Sequence, residues 1–259
     1  MRGGNEPNDD ERRVVFSICK FKRQTTTIGE MCCCPYTIYD EIKSTILTIE
    51  LLEVVMNQVN FINEDIGSVD IKGSVEKVDT GYDVIAGGQD IWGTSDQFHF
   101  NYVTIHDDFD MAVRLESLSM ADLYTKAGLM ARKSLLADSE HVFFMVFPDN
   151  SSRNKNNGGY EFQYREKSGG DSLAIYPKDY STEPAEFPIN YPNTWLRLKR
   201  SGNIFYGFYS TDGETWILYA IHEMKIDRTV YLGLAVTSHN ENNTVKASFR
   251  DIKIINNSI

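Results

Sequence analysis

The side chains best equipped for chemistry fall at two-residue intervals in three short segments of the 259-residue chain. They are Lys126, Gly128, Met130 and Arg132; His141, Phe143 and Met145; and Glu161, Gln163 and Arg165. On a β-strand that spacing puts each set on one face, while Ala127, Leu129 and Ala131 turn to the other and read as core. Sugar recognition needs planar hydrogen-bonding groups for hydroxyls and an aromatic face for the C–H surface of the ring, and this inventory supplies both. The candidate ligand contacts are therefore Lys126, Arg132, His141, Gln163 and Arg165 on one concave sheet, with Trp92 as a stacking ring. A blander reading stands beside it: a solvated sheet on which Arg132 and Arg165 pair with Glu161 or Glu166. Trp92, between Asp90 and Gly93, reads first as packed core and only second as a platform, because a Trp near a strand start is more often interior.

Hydrolytic chemistry finds little support. Retaining glycoside hydrolysis needs two carboxyl groups about 5–5.5 Å apart, and the E-x-D-x-x-E strand that would supply them is missing. No G-x-S-x-G occurs, and the five histidines (His99, His106, His141, His222 and His239) are scattered. Oxygen donors for a structural calcium exist at Asp90, Asp96, Asp107, Asp108 and Asp110, without the spacing that would name a site. The cysteines are Cys19, Cys32, Cys33 and Cys34, which lack the paired spacing of a zinc centre. Trp195 and Trp216 lie among apolar and aromatic neighbours and read as structural. No cofactor is expected.

Positioning such side chains takes sheets, and the grammar from Phe61 onward is that of an all-β chain. Short runs rich in Val, Ile, Phe and Tyr alternate with Gly, Asn, Asp and Pro clusters. Candidate strands are Asp83–Ile85, Phe98–Val103, Phe109–Leu118, Lys126–Arg132, His141–Phe147, Tyr160–Arg165, Trp195–Ser201, Ile204–Ser210, Ile217–Ile226, Tyr231–Ser238 and Val245–Ile255. About eleven strands are too many for one open sheet, so two packed sheets are expected. Ser201-Gly202-Asn203 should close one hairpin and Asp212-Gly213 another. The long loops 149–159 and 178–193 are polar. Residues 1–35 read as a flexible leader, and apolar residues recurring from Thr37 to Asn57 give a possible amphipathic helix within 36–60. Residues 61–259 form the sandwich.

Thirty-seven acidic against 26 basic residues give a net charge of −11, which opposes binding to nucleic acid. No run of 18 apolar residues is present to span a membrane as a helix, and no signal peptide is visible.

Seven segments also resemble, in order, the concanavalin A-like modules grouped as DUF1349. They are Asp90-Ile-Trp-Gly-Thr-Ser-Asp-Gln-Phe-His-Phe, Lys126-Ala-Gly-Leu-Met-Ala-Arg, His141-Val-Phe-Phe-Met-Val, Phe162-Gln-Tyr-Arg, Trp195-Leu-Arg-Leu, Tyr209-Ser-Thr-Asp-Gly-Glu-Thr-Trp and Tyr231-Leu-Gly-Leu-Ala-Val-Thr-Ser-His. The resemblance covers about residues 61–255 and implies a two-sheet antiparallel jelly-roll sandwich of the lectin/glucanase superfamily. It implies carbohydrate binding without catalysis. A structural or protein-interaction module is the alternative, and an unrecognised glycoside hydrolase stands third. The partner is a glycan or a protein. Location follows the start of the chain: cytoplasmic as written, extracellular if the N-terminus is misassigned.

Overall fold

Fourteen strands make up the fold in the computed structural model, which describes residues 60–150, 159–175 and 187–254. In chain order they are β1 (Ile62–Ile66), β2 (Ser74–Val78), β3 (Gly81–Ala86), β4 (Phe98–His106), β5 (Phe109–Leu118), β6 (Lys126–Arg132), β7 (His141–Val146), β8 (Tyr160–Arg165), β9 (Leu173–Ile175), β10 (Thr194–Ser201), β11 (Ile204–Ser210), β12 (Ile217–Glu223), β13 (Thr229–Thr237) and β14 (Val245–Ile254). They form two seven-stranded sheets, β1-β4-β13-β6-β7-β8-β9 and β12-β11-β10-β5-β14-β3-β2. Every neighbouring pair is antiparallel. The expected leader, the helical spacing over Thr37–Asn57, all four cysteines, and residues 151–158 and 178–186 of the two long loops lie outside the described residues.

The expected all-β sandwich is what forms, with three more strands than the sequence pattern gives. Those three, β1 (Ile-Asn-Glu-Asp-Ile), β2 (Ser-Val-Glu-Lys-Val) and the three-residue β9, are edge strands. Charged, short edges guard a sheet against pairing with other chains, and the same charges hide the strand signal. The hairpins close where expected. Gly202 at φ +61° sits between the paired Ser201 and Ile204, and Gly213 at φ +74° turns β11 into β12. Asp212 fastens that second turn by accepting from the N–H groups of Glu214 and Thr215 (2.8 and 2.7 Å), which holds its carboxyl well below the usual range.

Between the sheets lies the main core. Phe144 there packs against Tyr160, Phe162 and Tyr219 with ring centroids 5.7, 6.1 and 5.3 Å away. Ala127, Leu129 and Ala131 point into it, as the alternation predicts. The other face of the first sheet carries a second apolar cluster of Phe98, Phe100, Met130, Phe143 and Met145, capped by Ile91 from the loop before β4. That face is covered, so the first sheet is buried on both sides over its middle strands. Sheets covered on both faces read as continuous apolar runs, and His-Val-Phe-Phe-Met-Val in β7 is one.

Candidate functional site

The polar residues picked out by alternation do share one face, and the structure places that face indoors. Lys126, Arg132, His141, Gln163 and Arg165 are all buried. The expected open, concave sugar-binding surface is instead roofed by the segments 87–97 and 133–140, so these side chains meet protein where a glycan was expected. Nor do the arginines pair with Glu161 or Glu166. Their carboxylate is Asp96, wholly buried, on the roofing loop: Arg165 clasps it in a fork of 2.8 and 2.7 Å, and Arg132 lies 3.6 Å away.

The other donors of Arg165 reach the carbonyls of Gly170 (3.0 Å), Gly93 (3.0 Å) and Trp92 (3.3 Å) and the hydroxyl of Ser172 (3.0 Å). Arg132 donates to the carbonyls of Ser134 (2.7 Å) and Leu136 (2.5 Å). A planar, five-donor guanidinium suits such work, because it can satisfy several loop carbonyls and a carboxylate at once. Burial pulls the Arg132 pKa down to about 10 against the pull of Asp96, still far above neutrality. His141, 3.7 Å from Asp96, is pushed down to about 4 by burial, with Asp96 opposing, so it is neutral at pH 7. Gln163 donates to Glu161 beside it.

Each letter of the Lys126-Ala-Gly-Leu-Met-Ala-Arg segment thereby acquires a task. The Lys126 ammonium donates to Asp90 Oδ1 (2.6 Å) and the Ile91 carbonyl (2.9 Å), anchoring the start of the roofing loop. Gly128 lets β7 approach, since a Cβ there would stand 2.2 Å from the Phe144 carbonyl oxygen. Met130 fills the second core, and Arg132 holds the far side of the roof.

What this underside supports is a cleft on the outer surface of the roof. About 550 Å³ is lined by Gln89, Asp90, Trp92, Gly93, Ser95, Gln97, His239, Asn240 and Glu241. Trp92 is not core: it is 40% exposed, with the Lys126 ammonium 5.4 Å from its ring centroid. The reason is local. Ile91 takes the interior position of this loop, and Gly93 at φ +57° turns the chain immediately after the Trp. Across the cleft, His239 (φ +53°) presents Nε2 to Asp90 Oδ2 at 3.4 Å and Nδ1 to Asp122 Oδ1 at 3.2 Å. Hydrogen bonding to Asp90 raises its pKa more than burial lowers it. Burial raises the Asp90 carboxyl, yet His239 and Lys126 together bring it below its ordinary value. The Gly88 carbonyl ties the loop to the end of β13 by accepting from the hydroxyls of Thr237 and Ser238 (3.1 Å each).

Sequence reasoning passed over His239, Asp122, Asn240 and Glu241. The available signal was the Thr-Ser-His ending of the β13 segment, which closes a strand with a residue placed outside the core.

The five aspartates considered as calcium donors disperse to other partners. Asp90 meets Lys126, Asp96 meets Arg165, Asp107 meets Arg228, Asp110 meets Arg197, and Asp108 accepts from the Gly202 N–H (2.7 Å). Among the described residues no group of three or more His, Cys, Asp or Glu side chains is placed to hold a metal ion. Trp195 is buried and meets Trp216 edge-on at 6.3 Å.

The family model described as a protein of unknown function, DUF1349, matches residues 84–257, about two thirds of the chain. The chain belongs to the DUF1349 family. That match runs from β3 through the roofing loop and both of its supports to the end of β14. Among solved structures, this DUF1349 chain is similar to a functionally unknown protein from Saccharomyces cerevisiae (16% identity, 70% of this chain and 91% of that one, TM-score 0.53). It is also similar to the carbohydrate binding module CBM66 from Bacillus subtilis (14%, 75% and 95%, 0.47) and to the GH43 protein BlXynB from Bacillus licheniformis (13%, 74% and 38%, 0.49). At 16% identity the first likeness is one of fold, a two-sheet antiparallel β-sandwich. Comparison with curated proteins gives no match.

Proposed function

We propose that this DUF1349 chain is a carbohydrate-binding module whose site is the cleft beside Trp92. The observation that carries the reading is an indole 40% exposed at the edge of a polar cleft, on a loop fixed from beneath by Arg165 and Lys126. A rigid aromatic face with amide and carboxylate groups around it meets both surfaces of a sugar, the apolar C–H side and the hydroxyl rim. Because the loop is held before any ligand arrives, little ordering cost is left to binding. In this reading the buried residues Lys126, Arg132 and Arg165 serve recognition by holding the loop in place.

Binding without hydrolysis is favoured by the state of Asp90. A general acid at neutral pH needs a raised carboxyl pKa, and Asp90 is held low by His239 and Lys126.

The test is a glycan-array screen of the full chain followed by calorimetry on Trp92→Ala. Losing the stacking ring should weaken binding about thirtyfold, on the scale of a ~2 kcal/mol aromatic hot spot, with the melting temperature little changed. Binding that is indifferent to the substitution moves the site elsewhere, and the absence of any saturable glycan signal overturns the function.

A further inference from the structure

Resting on the carbohydrate-binding reading, we infer that the cleft takes glycans free of carboxylate, sulfate and phosphate groups and rejects their anionic counterparts. The ground is where the charges stand. Among the described residues, the cations near the cleft are each engaged with protein groups. Lys126 is buried, its ammonium on Asp90 and the Ile91 carbonyl. Arg132 and Arg165 lie wholly beneath the roof, facing Asp96. His239 stands between Asp90 and Asp122, with the Tyr124 ring 5.4 Å away. Among the described residues lining the cleft there is no guanidinium or ammonium, where an acidic sugar would need a fork of donors.

The charge that stands exposed on the rim is an anion, Glu241. Asp90 and Glu241 line the cleft, Asp122 adjoins it through His239, and Glu241 is exposed. A chain of net charge −11 reinforces that sign at long range. A carboxylated ligand would enter with like charges opposed and no cation to compensate, whereas hydroxyls, amides and amines meet acceptors they can donate to.

The experiment screens the full chain against a panel in which each neutral oligosaccharide is paired with its uronate, sulfated or sialylated counterpart, at low and at high ionic strength. The expected result is at least about tenfold weaker binding of the anionic member at low salt, a gap that narrows as salt screens the cleft. Glu241→Lys should narrow it further by bringing a cation to the rim, while Trp92→Ala weakens both members alike. Anionic members bound as well as or better than neutral ones overturn this inference and leave the carbohydrate-binding reading standing. If no member of the panel binds, both fall together.

Discussion

His141 and His239 are oppositely placed, and they titrate with opposite consequences. His141 is buried neutral, its folded pKa near 4 lying below the ~6.5 of an exposed imidazole. Its contribution is therefore intact above about pH 6.5 and is lost as pH falls toward 4, because the unfolded chain takes up the proton first. The full loss is on the order of 3 kcal/mol. His239 is raised, so its contribution is complete below about pH 6.5 and is lost as pH climbs through the folded value. The groups that face it are Asp90, Asp122 and Lys126, together with the Tyr124 ring. Deprotonation removes a donor from one of two carboxylates and relaxes the join between the roofing loop and the β13–β14 turn. Urea unfolding of wild type, His141→Gln and His239→Gln across pH should show the acid-side slope reduced only in the first variant and the alkaline-side slope only in the second. Protection factors of the amides in residues 87–97 of the wild type, with the base catalysis of exchange divided out, should fall on the alkaline side of neutrality as His239 deprotonates.

At the scale of elements, the unit of interest is a loop clasped to a sheet. Arg165 on β8 grips Asp96, Gly93 and Trp92 of the loop with one guanidinium, so the surface proposed to meet a ligand depends on a residue buried beneath it. Arg165→Met should cost about 3–5 kcal/mol by breaking the fork on buried Asp96 and leaving it only Arg132, 3.6 Å away. Adding Asp96→Leu together with Arg132→Met should recover a large part of that loss, since the buried cluster of three charges is then removed as a whole and its desolvation penalty with it. Glycan affinity should not recover in parallel, because the carbonyls of Trp92 and Gly93 lose their donor in both variants. Chemical denaturation and calorimetry of the two variants check this split.

The same element shows how far sequence could be read. Alternation placed Lys126, Met130 and Arg132 on one face and Ala127, Leu129 and Ala131 on the other, because strand parity is a local property of consecutive residues. Burial of the first face is not local. It depends on residues 87–97 folding back over strands that follow some thirty to seventy positions later, and nothing within β6, β7 or β8 encodes that return. A polar stripe next to Phe143 and Met145 reads equally as an open binding face or as the anchor row of a lid. Asp96 and Ile91 in the opening segment were the only local hints. Trp92 was misjudged for a related reason: in Asp-Ile-Trp-Gly the inward position belongs to Ile91, and one residue's shift turns the indole outward.

At the largest scale, the described residues form a sandwich with a core on each side of its first sheet, and two adjacent residues separate the roles of those cores. Phe143 and Phe144 are both fully buried, one beneath the roof with Met130 and Met145, the other between the sheets with Tyr160 and Tyr219. Truncating either to alanine should cost about 3–5 kcal/mol, the range for emptying a large aromatic site. The consequences for function should diverge. Phe143→Ala removes support directly under the loop bearing Trp92, so local opening of residues 87–97 becomes cheaper than global unfolding, and glycan affinity falls while the sandwich remains folded. Phe144→Ala loosens the contact between the sheets and leaves the roof seated on an intact face until the whole domain opens. Native-state hydrogen exchange resolves the two cases: in Phe143→Ala the loop amides should exchange ahead of those in β10 and β5, whereas in Phe144→Ala the loss of protection should be shared across both sheets. Equal behaviour of the two variants would mean that roof and sandwich open as one unit and that the second core has no separate hold on the cleft.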